Sequence, residues 1–364
     1  MGVGQLVSRV LRRQAEGVVA IAVPTVGEAN PVGPSPAFVP NEVYLEVRIR
    51  QMWLTEERQL WREYVPFATV VSEFINQGRR VAVPSVLGSA ALSNRFQVSR
   101  ADDAVEIRNV RVAGPVPYEG DDVSLLIALF RLKTADWLVP SLKLIEEIAS
   151  VVGFTGLTAA APVADTLIRG VESFLSTDDL ELRVGAYHSW TAPNGPGEPV
   201  SATTLAPANF AILRRPEAGM TPDEVASLCV KDGRLHRMHG GTATPYREHD
   251  FIVVGLEARP FRDDYRQLEF YRLWQQTRRC VVDGDLRAAR RLWRQTAGAI
   301  FTDELTQPQQ EILFAEYERR YAELVDRFGR GGAGYRDIDP GGGRPAPDRD
   351  DDPEAILRGA VADV

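Results

Sequence analysis

Cysteine is nearly absent from this 364-residue chain: Cys229 and Cys280 stand far apart and form no CxxC pair. Neither a disulfide framework nor a zinc ribbon is indicated, and the chain reads as intracellular and cytoplasmic. Lysine is as scarce, with only Lys133, Lys143 and Lys231 among 42 basic residues, a bias that a G+C-rich bacterial gene accounts for. Acidic residues outnumber basic ones by 50 to 42, for a net charge of −8. No overall positive field draws in a phosphate backbone, so nucleic acid is not an expected partner. The signatures of a GxSxG elbow, a phosphate-binding loop, a full GxGxxG and an HExxH helix are all missing, and no cofactor is expected.

Long apolar runs are also lacking. The stretch 148–164 is uncharged for 17 residues but contains Gly153, Gly156 and Pro162. It falls short of the roughly 20 apolar residues that cross a bilayer, and a membrane span is not expected. Near the start, Arg9, Arg12 and Arg13 fall inside a weakly apolar stretch rather than before it, against the pattern of a secretion signal.

What the chain does have is the composition of a folded globular protein, 44% apolar and 25% charged. Its patterning changes along its length. Residues 3–16 predict a short amphipathic helix, with Leu6, Val7, Val10 and Leu11 opposite the arginines. From about residue 17 the period is two. Val43, Leu45, Val47 and Ile49 alternate with Tyr44, Glu46, Arg48 and Arg50, which predicts a strand with one buried and one wet face. Further strands are expected at 18–23, 67–75, 81–83 (ending at Pro84), 180–186, 210–213, 225–230 and 251–258. Val105 and Ile107 share one phase and Val110 and Val112 the other, so Asn109 is predicted at a bulge. A turn is expected at 114–120, and the apolar run 123–132 predicts a strand buried on both faces.

Within 138–176 the period becomes three or four, through Leu142, Ile145, Ile148, Val152, Leu167, Ile168 and Leu175, which predicts a helical hairpin inserted in the sheet. From Phe261 the helical period returns and stays. Phe270, Trp274 and Val281 mark one helix, Asp283-Gly284-Asp285 a turn, and Leu286, Ala289, Trp293 and Ile300 a second helix. Thr306, with Pro308 and Gln309, predicts a capping-box start to a third. The segment Asp283 to Trp293 is similar to half of a tetratricopeptide repeat, without the second copy that a period of about 34 residues requires. The expected fold is α+β: an N-terminal amphipathic segment (1–16), an antiparallel β-sandwich (17–260) with the inserted hairpin, a three-helix unit (261–329), and a disordered Gly/Pro/Asp/Arg segment (330–364).

Candidate chemistry is concentrated in two places. His236, His239 and His249 fall within 14 residues, beside Cys229, Asp232 and Asp250. Imidazole and thiolate bind zinc, so His236, His239, His249 and Cys229 are the candidate metal ligands, and the three histidines the candidate acid–base groups of a hydrolase. Against this, Lys231-Asp232-Gly233-Arg234 and Gly240-Gly241-Thr242 read as β-turns, whereas His236 and His239 would share a face only on a helix. The second place is the stripe Arg287, Arg290, Arg291 and Arg294, one face of a predicted helix opposite Trp293, suited to an acidic partner or to water, with Asp285 and Glu304 as nearby counter-charges. Asp pairs at 102–103, 121–122, 178–179 and 263–264 stand at element boundaries, where Asp caps and turns.

With no readable nucleophile or cofactor loop, the expected function is a non-catalytic scaffold or adaptor in a bacterial assembly, with other proteins as partners. The alternatives are the histidine-centred hydrolase and a membrane-active protein that uses the 138–176 hairpin.

Overall fold

A computed structural model describes residues 18–26, 36–55, 58–59, 62–88, 99–101, 104–133, 180–193, 204–214 and 220–329. The expected helices at 3–16 and 138–176 and the segment 330–364 lie outside these residues. The described chain is α+β with antiparallel sheets. It divides into two compact units, one built on 45–259 and a second of Asn41–Tyr44 with Pro260 onward.

The strands are β1 (Val18–Val23), β2 (Tyr44–Trp53), β3 (Arg58–Gln59), β4 (Arg62–Asn76), β5 (Arg79–Gly88), β6 (Ser99–Ala101), β7 (Ala104–Pro117), β8 (Val123–Lys133), β9 (Leu180–Trp190), β10 (Ala208–Arg214), β11 (Leu228–Lys231), β12 (Arg234–His239), β13 (Thr242–Pro245) and β14 (Phe251–Arg259). A six-stranded sheet runs β1-β10-β14-β2-β7-β6; a second sheet runs β3-β4-β8-β9, with β5 also on β4. These two face each other as a sandwich. Phe210, Ile212 and Val254 of the first meet Leu125, Ile127, Ala186 and Trp190 of the second around a small apolar cavity of about 70 Å³.

The alternation along β10 and β14 places the next residues on the opposite face. There Ala211, Leu213, Phe251 and Val253 pack on Leu228, Val230, Leu235 and Tyr246, so a third sheet, β11-β12-β13, covers this end of the six-stranded one. The hairpins of that small sheet are closed by Asp232-Gly233 (φ +50° and +70°) and Gly240-Gly241 (φ +55° and +81°). Both central residues are left-handed, as a two-residue type I′ turn requires.

Several expectations are confirmed and several corrected. Asn109 takes φ +49° in mid-β7, at the predicted change of phase. β8 lies between β4 and β9, and from Val123 to Leu129 all its residues are buried except the half-buried Leu126. The strand expected to end at Pro84 continues to Gly88; among the described residues β5 has β4 as its one ladder partner, and on such a strand a residue without an N–H is tolerated. The turn expected at 114–120 begins later, because β7 runs on to Pro117. Gly114, at φ +79°, is needed there, since a Cβ would overlap the Leu45 carbonyl. The strand expected over 225–230 starts at Leu228, and Val225 instead belongs to a short helix α1 (Pro222–Ala226) closed by a Thr221/Glu224 capping box. The supposedly wet face of β2 is largely covered, Tyr44 and Glu46 both being fully buried.

The helical unit contains a single 3-10 turn (Tyr265–Gln267) and helices α2 (Glu269–Val282), α3 (Leu286–Ile300) and α4 (Gln307–Gly329). Its core joins Tyr44, Phe270, Trp274, Ile300, Leu313 and Tyr317. α2 and α3 approach closely at Thr277 and Thr296, both fully buried, whose hydroxyls lie 3.2 Å apart while each donates to the carbonyl four residues back. α4 begins where the capping-box pattern predicts, yet by other bonds. The Thr306 N–H donates to the Tyr44 hydroxyl at 2.8 Å, and Gln309 turns away to bracket the Arg262 backbone, accepting from its N–H and donating to its carbonyl. Burial pushes the Tyr44 hydroxyl up to about 12, the Thr306 bonds offsetting part of the rise. Among the described residues no helix is long and apolar enough to cross a membrane.

Candidate functional site

Among the described helices α3 is the most lopsided in charge. Between Glu257 and Phe328 the charges balance, 13 acidic against 13 basic, but Leu286–Ile300 holds four arginines and no acid. Arg287, Arg290, Arg291 and Arg294 recur at three and four residues and therefore share one face. All four are exposed, and the opposite side buries Ala289, Thr296 and Ile300. The counter-charges that stand nearby in the sequence are engaged elsewhere. The Asp285 carboxylate caps the helix by accepting from the Ala288 N–H at 2.9 Å, and Glu304 meets Arg262 at 3.3 Å. No carboxylate among the described residues pairs with the four arginines; the only bond made by their side chains runs from Arg294 Nε to the Arg290 carbonyl, at 3.4 Å.

This arrangement is unfavourable by itself. Like charges at i,i+4 repel by a few tenths of a kcal/mol per pair, and cations near a helix N-terminus oppose the macrodipole. Helix α4 handles the same residue type differently: Arg319 bonds Glu316 and Glu323, and Arg320 bonds Glu316 at 2.6 Å. Burial alone would raise the Glu316 carboxyl, but the bonds from Arg320 and Arg319 outweigh it and hold the group below the usual carboxylate range.

A second arginine group lies on the outer face of the six-stranded sheet. Arg48 and Arg50 on β2, Arg111 on β7 and Arg259 on β14 surround Glu46 and Glu257. Glu46 is fully buried, contacted by Arg48, by Arg259 at 3.3 Å and by Arg111 at 3.5 Å; Glu257 takes Arg50 at 2.8 Å. Gly255 leaves room for Arg50 to cross β14, since a Cβ there would stand 2.8 Å from the arginine Nε. A third buried carboxylate, Asp250, accepts from the Thr55 N–H and hydroxyl, each at 2.7 Å, and from Arg183 Nε at 2.6 Å. These acids balance buried or half-buried arginines and hold strands together. Periodicity could not reveal them, because each pairing joins residues distant in the chain.

The histidine group divides among separate positions. Cys229 and His236 are partners across β11 and β12; the cysteine is buried, and burial pushes its thiol up, with Lys231 offsetting part of the rise. His236 Nδ1 lies 3.0 Å from the Arg234 carbonyl. His239 is exposed at the end of β12, opposite Thr242. His249 Nδ1 lies 2.8 Å from the Tyr246 hydroxyl, whose own proton burial holds up to about 12. Among the described residues no three His, Cys, Asp or Glu side chains gather as a metal site.

No protein-family model matches this sequence, and neither a curated protein nor a solved structure does.

Proposed function

We propose that the chain is a non-catalytic adaptor that binds acidic segments of other proteins through Arg287, Arg290, Arg291 and Arg294 of α3. The single observation that supports this is the lack of counter-charge on that stripe. A solvated helix face normally interleaves both signs, as α4 does, and four aligned cations without an acid cost stability unless an anion meets them. Arginine suits that task, since its planar fork binds carboxylates bidentately and is weakly hydrated. The net charge of −8 opposes long-range attraction to nucleic acid, which favours a protein partner.

The test compares the chain with the variant Arg287→Gln, Arg290→Gln, Arg291→Gln and Arg294→Gln. Both are tagged and incubated with nuclease-treated extract of the native host, and any protein held by the first and lost by the second is purified and titrated. The expected result is a partner whose affinity falls at least roughly tenfold in the variant and weakens steadily with salt. Identical capture by the two forms would overturn the reading.

A further inference from the structure

The segment that follows α4 contains the anion the stripe lacks. Residues 348–354 read Asp348-Arg349-Asp350-Asp351-Asp352-Pro353-Glu354, five acids and one arginine for a net charge of −4, against +4 on the α3 stripe.

The helix directions bring the end of α4 toward the stripe. Phe301 packs on Phe314 with ring centroids 5.5 Å apart, and Trp293 stacks on Tyr321 at 5.0 Å. Moving back along α3 therefore moves forward along α4, and the helices are antiparallel. Continuing at the same spacing, seven residues before Trp293 is Leu286 and seven after Tyr321 is Phe328. The C-terminal end of α4 thus runs toward the N-terminal end of α3, where Arg287, Arg290 and Arg291 begin the stripe. Eighteen residues separate Gly329 from Asp348, a reach of up to roughly 60 Å, whereas Arg287 to Arg294 covers only about 10 Å of helix.

We infer that residues 348–354 dock on the α3 arginine stripe of the same chain and occupy it until an acidic partner displaces them. The inference rests on the reading of that stripe as a partner-binding surface. It also explains how an unpaired row of cations at the wrong end of a helix dipole is tolerated: in the unpartnered protein the row is neutralised from within, and the stripe opens only to a competitor. Other arginine groups are poorer hosts, because those on β2, β7, β14 and α4 already hold carboxylates. A tethered segment has an effective concentration on the order of 1 mM. Even if it binds with a Kd of about 100 µM, it lowers the stripe's apparent affinity for a competitor roughly tenfold.

The test uses the full chain and a form neutralised by Asp348→Asn, Asp350→Asn, Asp351→Asn, Asp352→Asn and Glu354→Gln. A fluorescent peptide of residues 346–357 with the native sequence is titrated into each at low salt and followed by anisotropy. The expected result is binding to the neutralised form roughly tenfold tighter than to the unmodified chain. That binding should disappear when Arg287, Arg290, Arg291 and Arg294 are also changed to Gln in a chain whose circular dichroism is unaltered. Equal arginine-dependent binding to both forms would overturn self-docking and leave the acidic-partner reading standing. No binding to either form would overturn both. A difference between the forms that grows with protein concentration would mean that the segment docks between copies, which also overturns the inference.

Discussion

The arginines of the six-stranded sheet and those of α3 are opposite solutions to one problem. On the sheet, Arg48, Arg50, Arg111 and Arg259 converge on Glu46 and Glu257, so charge is neutralised within the fold and the group serves cohesion. On α3, four arginines are held out to solvent, with Asp285 committed to the helix cap and Glu304 to Arg262. The difference separates structural charge from charge kept available, and only the second is a candidate for recognition.

Removing the buried carboxylate tests the first half of that contrast most severely. Glu46→Ala leaves three guanidinium groups around an empty position and is expected to cost about 3–5 kcal/mol in urea unfolding, with Glu46→Gln costing less. An effect below about 1 kcal/mol would make the sheet network ornamental. Asp250→Ala should cost a similar or smaller amount, because Arg183, 7% exposed, loses its 2.6 Å bond to this carboxylate.

A smaller effect is expected on α4, where pairing is half-exposed. Glu316→Gln should lower stability by about 0.3–1 kcal/mol near neutral pH. Because the folded carboxyl is held below its unfolded value, this contribution is present above the ordinary glutamate range and is lost as pH falls through the lowered value. Melting curves of the two forms should therefore converge in acid; a difference that persists there would assign the effect to packing instead of charge.

The smallest change in stability is predicted for α3, and its sign is the informative part. With residues 348–354 neutralised as above, the double variant Arg287→Glu and Arg290→Glu places anions in the N-terminal part of the helix and should raise stability by a few tenths to about 1 kcal/mol while abolishing partner binding. Destabilisation would mean that these arginines support the fold.

Much of the fold was legible because local chemistry and tertiary structure agree. Period-two runs became β2 and β9, and the apolar run 123–132 became β8; Asp232-Gly233 and Gly240-Gly241 became hairpin turns; Asp283-Gly284-Asp285 separated α2 from α3. Legibility failed where a distant contact decides. Pro84 does not end its strand because β5 has no second ladder partner among the described residues, and at Thr306 the Tyr44 hydroxyl takes the N–H that a capping box assigns to Gln309. The covered face of β2 was likewise unreadable, since a Glu among arginines looks solvated until strands far apart in sequence bring the partners over it. For the candidate site, spacing alone placed the four arginines on one face. Their lack of partners was not readable, because Asp285 and Glu304 lie close in sequence and only the three-dimensional arrangement shows where their oxygens point.

The α3 stripe, on this reading, is kept for binding at a cost to the fold. The most direct measurement pairs thermal unfolding of the quadruple Arg→Gln variant with its affinity for the native-sequence 346–357 peptide, both in the neutralised background. The account predicts a melting temperature equal to or above that of the parent and a loss of peptide binding. A lower melting temperature with peptide binding intact would contradict it.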